Sequence, residues 1–247
     1  MIDLHCHILP GVDDGAATEE ESGMMAALAA DSGVTAIAAT PHCNVPGQFG
    51  NYAGPELKAS FTALAALLRR KEIPVRLYTG MEVFVTPEVP ELIRRGKLLT
   101  LGGSRYLLVE FGFDEPLAFA EEMLSAVRGE GLVPVVAHPE RYRFVQADRQ
   151  CLLRWAREGY VIQVNKGSLF GMFGRRAADV AHWCLGEGCV HLIGSDAHSP
   201  FRRTTRLRDV WEYTADFDSP EIADFLLEDN PAHILRDQPV RPVLSAF

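Results

Sequence analysis

The sequence lacks any apolar run near the roughly 20 residues that a membrane-spanning helix needs, so we expect no insertion into a membrane. Cysteine is scarce, with five in 247 residues, at positions 6, 43, 151, 184 and 189. An odd, scattered set does not suit the disulfide framework of a secreted protein. The beginning of the chain has the pattern of a strand, without the basic and apolar regions of a signal peptide. These absences predict a cytoplasmic protein with reduced thiols.

Positive charge is also in short supply, since 24 Lys and Arg residues face 33 Asp and Glu residues and the net charge is -9. An acidic chain is a poor general nucleic-acid binder, because phosphate backbones bind basic surfaces. The charge does not exclude a small phosphorylated substrate, since bound metal ions can reverse the field inside a cleft. We therefore predict no nucleic-acid partner.

The length of 247 residues and the hydrophobic fraction of 47% allow a substantial core without disulfides. No internal repeat or linker is evident, so we predict a single domain over residues 1–247. The last part of the chain, from about residue 237, is predicted to be a short tail that lies extended over the surface or is mobile.

Short apolar runs alternate along the chain with amphipathic helical stretches. The runs lie near residues 2–4, 34–39, 75–78, 106–109, 133–137, 161–164 and 190–193. The helical stretches lie near 19–31, 55–71, 87–94, 117–129, 149–158, 175–186 and 202–211, and Thr18 with Glu21 has the capping-box spacing at the first of them. Continuous apolar runs are typical of strands buried on both faces. The pattern predicts an α/β barrel or a doubly wound sheet, and by itself leaves both open.

Metal-ligating side chains follow almost every predicted strand. They are His5, His7 and Asp14 after the first strand, His42 after the second, Glu82 after the third, Glu110 after the fourth, His138 after the fifth, and Asp196 and His198 after the seventh. One such residue near a strand end is usually structural or solvated, but independent structural reasons would not place nine of them at successive strand ends. In a closed barrel these ends form one rim, whereas an open sheet spreads them along a line. The set therefore favours the barrel.

The spacing of these residues indicates a metal centre. His5 and His7 lie two apart on a strand, so both imidazoles leave the same face. Asp196 and His198 repeat this spacing. Imidazole and carboxylate together suit Zn, Mn or Fe better than Ca or Mg. Nine candidates exceed the needs of one ion, and two or three ions roughly 3.5–4 Å apart would suit in-line displacement at phosphorus. Asp13 competes with Asp14, since both could cap a loop.

Two arginines complete the predicted site. Arg141 lies three residues after His138, and Arg203 lies five after His198. Guanidinium groups bind phosphate oxygens in a planar, bidentate manner, so metals that activate water beside these arginines predict a phosphomonoesterase. Arg202 and Arg206 compete with Arg203, because arginines in loops are more often solvated than catalytic.

A thiol-based reaction is not expected. Cys151 and Arg157 have the Cys-x5-Arg spacing of thiol-dependent tyrosine phosphatases. That mechanism needs a glycine-rich turn whose backbone N–H groups bind phosphate and lower the pKa of the thiol. The five residues between Cys151 and Arg157 instead have a helical pattern. We also expect His182, His191 and His233 to be surface or packing residues.

The ordered motifs resemble the polymerase-and-histidinol-phosphatase (PHP) superfamily, through Asp3-Leu-His5-Cys-His7, Thr40-Pro-His42, Glu110, His138-Pro and Ser195-Asp-Ala-His198. Within it the chain looks similar to the bacterial protein tyrosine phosphatases of capsule and exopolysaccharide operons. Val12-Asp-Asp-Gly15, His138-Pro-Glu-Arg-Tyr142 and Gln163-Val-Asn are typical of that branch. The resemblance extends from Met1 to about Arg203. One departure is Cys43, which stands where the family often has a second His after Thr-Pro-His.

The resemblance implies a distorted (β/α)7 TIM-like barrel and a trinuclear site, often loaded with Mn²⁺. Taken with the donor set, it leads us to expect two or three ions, Mn²⁺ first and Fe or Zn as alternatives. It assigns His5, His7, Glu110 and Asp196 to one ion, Glu82, Glu110 and His138 to a second, and Asp14, His42 and His198 to a third. A metal-bridging hydroxide is then expected to attack phosphorus while Arg141 and Arg203 hold the phosphate. Asp14 and His42 are also expected to act in catalysis, and Asp3 to support a ligand His from behind.

The substrate implied by the resemblance is phosphotyrosine on the tail of an autophosphorylating bacterial tyrosine kinase that controls polysaccharide export. Two alternatives remain open at this point. One is a small-molecule phosphatase, such as one that acts on histidinol phosphate, because the metal chemistry would be the same. The other is a PHP domain that serves as a non-catalytic scaffold.

Overall fold

The computed structural model describes residues 1–243. Within them nine strands lie in two parallel sheets, ordered β1-β2-β4 and β3-β5-β6-β7-β8-β9. The strands are β1 (Ile2–Cys6), β2 (Ala36–Ala39), β3 (His42–Cys43), β4 (Arg76–Thr79), β5 (Glu82–Phe84), β6 (Tyr106–Glu110), β7 (Val133–Ala137), β8 (Val161–Asn165) and β9 (Leu192–Gly194).

The two sheets join into one closed barrel. Beyond β9, the backbone N–H of Asp196 donates to the carbonyl of His5, and the N–H of His7 donates to the carbonyl of Ala197, both at 2.9 Å. These bonds connect the last strand to the first. On the other side, β2 and β3 are two pieces of one strand separated at Pro41, whose nitrogen has no hydrogen to donate. β4 and β5 are likewise two pieces of one strand. The result is the predicted (β/α)7 barrel, distorted where two of its seven strands are broken.

Helices surround the barrel. They are α1 (Glu19–Asp31), α2 (Pro55–Arg70), α3 (Val89–Arg94), α4 (Leu117–Gly129), α5 (Arg143–Ala147), α6 (Gln150–Arg157), α7 (Lys166–Leu169), α8 (Arg175–Gly186), α9 (Arg208–Phe217), α10 (Pro220–Asp224) and α11 (Asn230–Leu235). Short 3-10 turns cover Leu101–Gly103 and Pro139–Arg141, and a π-helical turn covers Phe225–Asp229. The Thr18 hydroxyl accepts from the Glu21 N–H at 3.2 Å, as the capping-box spacing predicts. In the part of the chain described, no helix is long and apolar enough to cross a membrane.

One predicted helix begins late. The stretch 202–211 was expected to be helical, but α9 begins only at Arg208. Arg203 has a φ of 54°, in the left-handed region that a right-handed helix cannot use. The buried Lys166 ammonium also binds the carbonyl oxygens of Thr204 and Arg206, which an α-helix would occupy with its own N–H groups. Residues before Arg208 therefore form a loop at the rim.

Alternation along the strands determines which side chains reach the barrel interior. In β6, Leu107 and Val109 pack with the core between barrel and helices, whereas Tyr106 and Leu108 belong to a separate core inside the barrel. Side chains of a strand alternate between faces, so Glu110 follows Leu108 into the interior. In β8 the same alternation, starting from Val161, turns Gln163 and Asn165 inward. These polar side chains therefore meet at the rim, above the apolar core inside the barrel.

The predicted tail is anchored where the structure describes it. The Tyr106 hydroxyl donates to the Gln238 carbonyl at 2.7 Å, and the Val243 N–H donates to the Val190 carbonyl at 3.4 Å. Because Tyr106 begins β6 and Val190 precedes β9, the segment covers the end of the barrel opposite the polar rim. Residues 244–247, the rest of the predicted tail, lie outside the described residues.

Candidate active site

Five histidines from four strand ends form one cluster at the rim. The ring centroid of His7 lies 4.0 Å from that of His198 and 4.5 Å from that of His42, and the rings of His5 and His138 are 5.5 Å apart. The Nε2 atoms of His5 and His7 face each other at 3.3 Å. Both imidazoles are completely buried. The convergence predicted from the strand ends is therefore present in the folded chain.

Glu82 lies at the centre of this cluster. Its Oε1 is 3.2 Å from Nε2 of His5 and 2.8 Å from Nε2 of His138, while its Oε2 is 3.2 Å from Nε2 of His7 and 3.1 Å from Nδ1 of His42. Burial alone would raise the pKa of this carboxyl, but the charge of His5 and the hydrogen bond from His138 outweigh burial and lower the pKa well below its ordinary value. Glu82 is consequently an anion inside the barrel.

Glu110 and Asp196 bring two further carboxylates to the cluster. Oε1 of Glu110 is 3.0 Å from Nδ1 of His42, and burial together with the charge of Glu82 raises the pKa of Glu110. Oδ1 of Asp196 is 3.5 Å from Nε2 of both His5 and His7. Two carboxylates close to one centre need a compensating positive charge, because like charges in low dielectric repel strongly.

Within residues 1–243, the donor atoms form three groups compact enough for an ion. These are His7, Asp14, His42 and His198, then His5, His7, Glu82 and Asp196, and lastly His42, Glu82 and Glu110. The first group contains the whole set that the resemblance assigns to a third ion. In the second group Glu82 stands where the resemblance assigns Glu110. His138 is outside all three groups but is in contact with Glu82.

The geometry explains this difference between the two glutamates. Glu82 begins β5 and is completely buried, so its carboxylate reaches four of the five imidazoles. Glu110 ends β6, nearer to the mouth, where its side chain remains 11% exposed. The structure therefore gives Glu82 the central position that the resemblance gives to Glu110.

The residues fit a transition-metal site. Oε2 of Glu82 and Nδ1 of His42 lie 3.1 Å apart, are buried, and make no hydrogen bond of acceptable geometry among the described residues. Buried polar atoms are normally satisfied, so such atoms facing one another in a cluster need another partner. Imidazole nitrogens and carboxylate oxygens are the donor set for Zn, Mn or Fe.

The two neighbouring aspartates occupy different layers. Oδ1 of Asp14 lies 3.5 Å from Nε2 of His42 and 3.4 Å from Nε2 of His198, at the solvent side of the cluster. The hydrogen bond from His198 lowers the pKa of Asp14 to about 2. Oδ2 of Asp13 instead lies behind the cluster, 2.7 Å from Nδ1 of His7, and accepts from the His42 N–H at 2.9 Å. Asp14, and not Asp13, faces the donor atoms.

Further supporting residues escaped the sequence analysis as site residues. Oε1 of Gln163 lies 2.8 Å from Nδ1 of His5, and the amide of Asn165 donates to Oδ2 of Asp196. Their signal was polarity at alternate positions near the end of a buried strand. Asp3, expected to support a ligand histidine, contacts the backbone and not the ring of His5: its carboxylate accepts from the N–H of Ser195 at 3.1 Å and from the N–H of His5 at 3.3 Å. The His5 ring itself is oriented by Gln163.

Both predicted arginines reach the site and share one anchor. Nη1 of Arg141 lies 3.2 Å from Oδ2 of Asp196, and Nη2 of Arg203 contacts the same oxygen. The guanidinium carbons lie 4.3 Å and 5.4 Å from the ring centroid of Phe173, and that of Arg141 also lies 4.8 Å from Phe113. Arg202 and Arg206 are exposed. Of the three competing arginines, Arg203 is therefore the one at the cluster.

The turn after β8 contacts the two chain segments that carry the arginines and the aromatic ring between them. Lys166 donates to the carbonyls of Thr204 and Arg206, at 3.2 Å and 2.5 Å, on either side of the loop that follows Arg203. The Ser168 hydroxyl donates to the buried Glu140 carboxylate at 2.6 Å, next to Arg141. A Cβ at Gly167 would lie 2.7 Å from the Phe173 ring. One turn thus positions both arginine segments and the ring between them.

The cysteines and the remaining histidines stand apart from the cluster. Burial raises the pKa of Cys43 to about 12, and its thiol donates to the Gly50 carbonyl rather than facing the donor atoms. Burial likewise raises the pKa of Cys151 to about 12, so this thiol is no nucleophile. His191 accepts from the Ile162 N–H in the core, at 3.0 Å. His182 and His233 bind backbone carbonyls elsewhere.

A sequence profile for the family described as capsular polysaccharide synthesis, CpsB/CapC, matches residues 1–236. This chain belongs to the CpsB/CapC family. It is 32% identical over 240 residues to tyrosine-protein phosphatase YwqE of Bacillus subtilis (strain 168), which covers 97% of this chain and 93% of that protein. It is 29% identical over 245 residues to tyrosine-protein phosphatase CpsB of Streptococcus pneumoniae, with 96% and 99% covered.

Solved structures agree with this family assignment. A chain from the crystal structures of YwqE and CpsB, described as unique metal-dependent tyrosine phosphatases, superimposes with a TM-score of 0.87 at 31% identity, covering 98% of this chain and 99% of that chain. A lactonase, Lmo2620 of Listeria monocytogenes, superimposes with a TM-score of 0.62 at 12% identity, covering 95% and 94%, and this likeness concerns the fold alone. The predicted resemblance and the predicted barrel are confirmed.

Proposed function

We propose that this protein is a metal-dependent phosphomonoesterase that removes phosphate from tyrosine residues of proteins. The observation that supports this most directly is the convergence of three groups of nitrogen and oxygen donors beneath two arginines that share Asp196. Ligand sets for several ions next to guanidinium groups suit phosphate esters. The relatives YwqE and CpsB are themselves named tyrosine-protein phosphatases.

The nine predicted ligands would hold two or three ions, Mn²⁺ in the first place and Fe or Zn as alternatives. His5, His7, Glu82 and Asp196 would hold one ion and Asp14, His42 and His198 another. Glu82 and Glu110, together with His42 and His138, would supply the ligands of a further ion. When bound, such ions supply positive charge opposite the phosphate oxygens and make water more acidic.

Arg141 and Arg203 would bind the non-bridging oxygens of the phosphate. Both guanidinium groups now bind one carboxylate oxygen of Asp196, so they are already oriented toward the centre of the cluster. Asp14 has a pKa of about 2 and is ionised at neutral pH. It would therefore serve as an acceptor or a ligand and not as a proton donor. Gln163 and Asp13 would keep the imidazoles of His5 and His7 in place.

The substrate would be a phosphotyrosine protein, and we propose an autophosphorylated bacterial tyrosine kinase of capsule or exopolysaccharide synthesis. The family description, capsular polysaccharide synthesis, supports that process. A cytoplasmic location is proposed with it. All five cysteines are free thiols and buried, as expected in a reducing compartment.

The test compares phosphotyrosine peptide with histidinol phosphate, in Mn²⁺ and then in EDTA, for wild type, His138→Ala and the matched control His233→Ala. We expect chelator-sensitive release from the peptide that His138→Ala abolishes and His233→Ala retains. Preference for histidinol phosphate would keep the metal site and replace the substrate with a small molecule. No release from either ester by metal-loaded wild type would favour a non-catalytic scaffold.

A further inference from the structure

A small hollow opens beside Arg203 on the rim of the site. Its volume is about 270 Å³, and its walls include Phe170, Met172, Phe173, Phe201, Arg202 and Arg203. Asn165 and Ser195, which adjoin Asp196, line the same hollow. The hollow is therefore continuous with the end of the site at which the arginines lie.

This hollow, which we term the flanking hollow, has three exposed apolar side chains in its walls, beside polar residues that also include Lys166, Thr204 and Asp209. Phe170 is 45% exposed, Met172 is 47% exposed and Phe201 is 78% exposed. Exposed apolar side chains grouped together mark binding surfaces more often than scattered ones do. Aromatic residues and Met are enriched at such surfaces. Met in particular is flexible and adapts its shape to different partners.

Local hydrogen bonds hold the most exposed ring in its outward position. The Ser199 hydroxyl accepts from the N–H groups of Phe201 at 3.3 Å and of Arg202 at 2.9 Å, and donates to the Arg202 carbonyl at 2.7 Å. The floor is equally fixed, since Phe173 lies under both guanidinium groups and against Gly167. An ordered turn that points an aromatic ring at solvent favours a partner that covers it.

We infer that the flanking hollow binds a large apolar side chain of the protein substrate, within a few residues of the phosphotyrosine. This inference depends on the proposed function. A phosphate held by Arg203 would place the substrate backbone over the rim, so residues next to the phosphotyrosine lie above Phe201 and Met172. Arg202 and Arg203 at the same rim would also attract acidic residues in that segment.

The experiment measures kcat/KM for two phosphotyrosine peptides, one with Leu or Phe within three positions of the phosphotyrosine and one with Ser at the same positions. Each value is divided by kcat/KM for para-nitrophenyl phosphate in the same protein, so that general effects on the site cancel. Wild type is compared with Phe201→Ser, Met172→Ser and the control Phe217→Ser, which removes a ring with 47% exposure that does not line the hollow.

We expect wild type to prefer the apolar peptide by about tenfold, the factor expected for burying one such side chain. Phe201→Ser and Met172→Ser should reduce the preference toward one, and Phe217→Ser should keep it. Equal use of both peptides by wild type would overturn the flanking hollow while leaving the phosphatase intact. Failure of wild type to hydrolyse either peptide would overturn the proposed function too. If Phe201→Ser kept the preference for the apolar peptide, the inference would be overturned. A change in the molar mass of that variant, measured by light scattering, would then show that the hollow is a self-association surface.

Discussion

Asp13 and His7 form a buried pair behind the cluster, with Oδ2 of Asp13 2.7 Å from Nδ1 of His7. Burial would raise the pKa of Asp13, but the charge of His7 and the hydrogen bond to it lower that pKa, so the aspartate is ionised. An anionic acceptor at Nδ1 fixes the ring and directs Nε2 toward Glu82 and Asp196. Carboxylates behind a ligand histidine usually tune metal affinity rather than add a ligand.

This arrangement separates the expected effects of Asp13→Asn and Asp14→Asn. Asp13→Asn should lower metal affinity by roughly 10- to 100-fold and recover full occupancy at high metal concentration. Asp14→Asn should instead lower the number of bound ions, because Asp14 faces the donor atoms of His42 and His198. Metal titration followed by elemental analysis distinguishes the two. A lower stoichiometry in Asp13→Asn at saturating metal would show that we have exchanged their roles.

Glu82 should matter more than Glu110 for metal content. Glu82 contacts four imidazoles, whereas Glu110 lies close to two. We therefore expect Glu82→Gln to lose about one bound ion or more per chain, and Glu110→Gln to lose less. Elemental analysis after dialysis against Mn²⁺ measures this. A greater loss of metal in Glu110→Gln than in Glu82→Gln would show that Glu110 is the more important ligand, as the family resemblance implies.

Gly167→Ala should weaken phosphate binding without removing metal. Its Cβ would lie 2.7 Å from the Phe173 ring, which packs beneath Arg141 and Arg203. Moving that ring would shift both guanidinium groups. A misplacement of about 1 Å lowers the rate of an enzymatic reaction on the order of 100-fold. We expect a higher KM and weaker inhibition by inorganic phosphate, with metal content unchanged. Gly129→Ala, which meets no atom within 4 Å, is the matched control. Equal KM values in both variants would argue against positioning by Phe173.

His191 should make the fold sensitive to acid. Burial lowers the pKa of His191 to about 3, against an ordinary value of 6.5. Between these two values the unfolded chain binds the additional proton, so the free energy of unfolding falls as pH falls. Between pH 7 and pH 5 the titration of this group alone should lower the free energy of unfolding by about 2 kcal/mol.

Urea unfolding of wild type and His191→Asn at both pH values tests this expectation. The Asn oxygen can replace Nδ1 as acceptor for the Ile162 N–H, but it does not titrate in this range. The variant should therefore lose less stability than wild type between the two pH values. Because His191 lies in the core, metal binding is expected to respond to pH equally in both proteins. Identical acid losses would show that the imidazole is not held neutral by burial.

The sequence by itself was enough to predict the barrel, once the strand-end residues were considered, and the nine ionisable residues that the fold brings to its rim. Apolar runs followed by helical patterns predicted seven strand units, and period-two alternation directs a residue such as Glu110 into the interior because Leu108 points there. Parallel strands bring their carboxyl ends to one rim, so the positions of His5, His42 and Asp196 in the chain were sufficient to predict that they meet.

Only the tertiary structure decided which atoms face one another at that rim. Asp13 and Asp14 are adjacent in sequence, and nothing local distinguishes the one behind His7 from the one before His198. The central place of Glu82 follows from its complete burial among histidines that come from other strands. The position of Arg203 follows from a loop that Lys166, in the turn after β8, holds by hydrogen bonds. Periodicity is a local property that sequence displays, whereas distances across a closed barrel depend on strand breaks, left-handed residues and buried hydrogen bonds between distant segments.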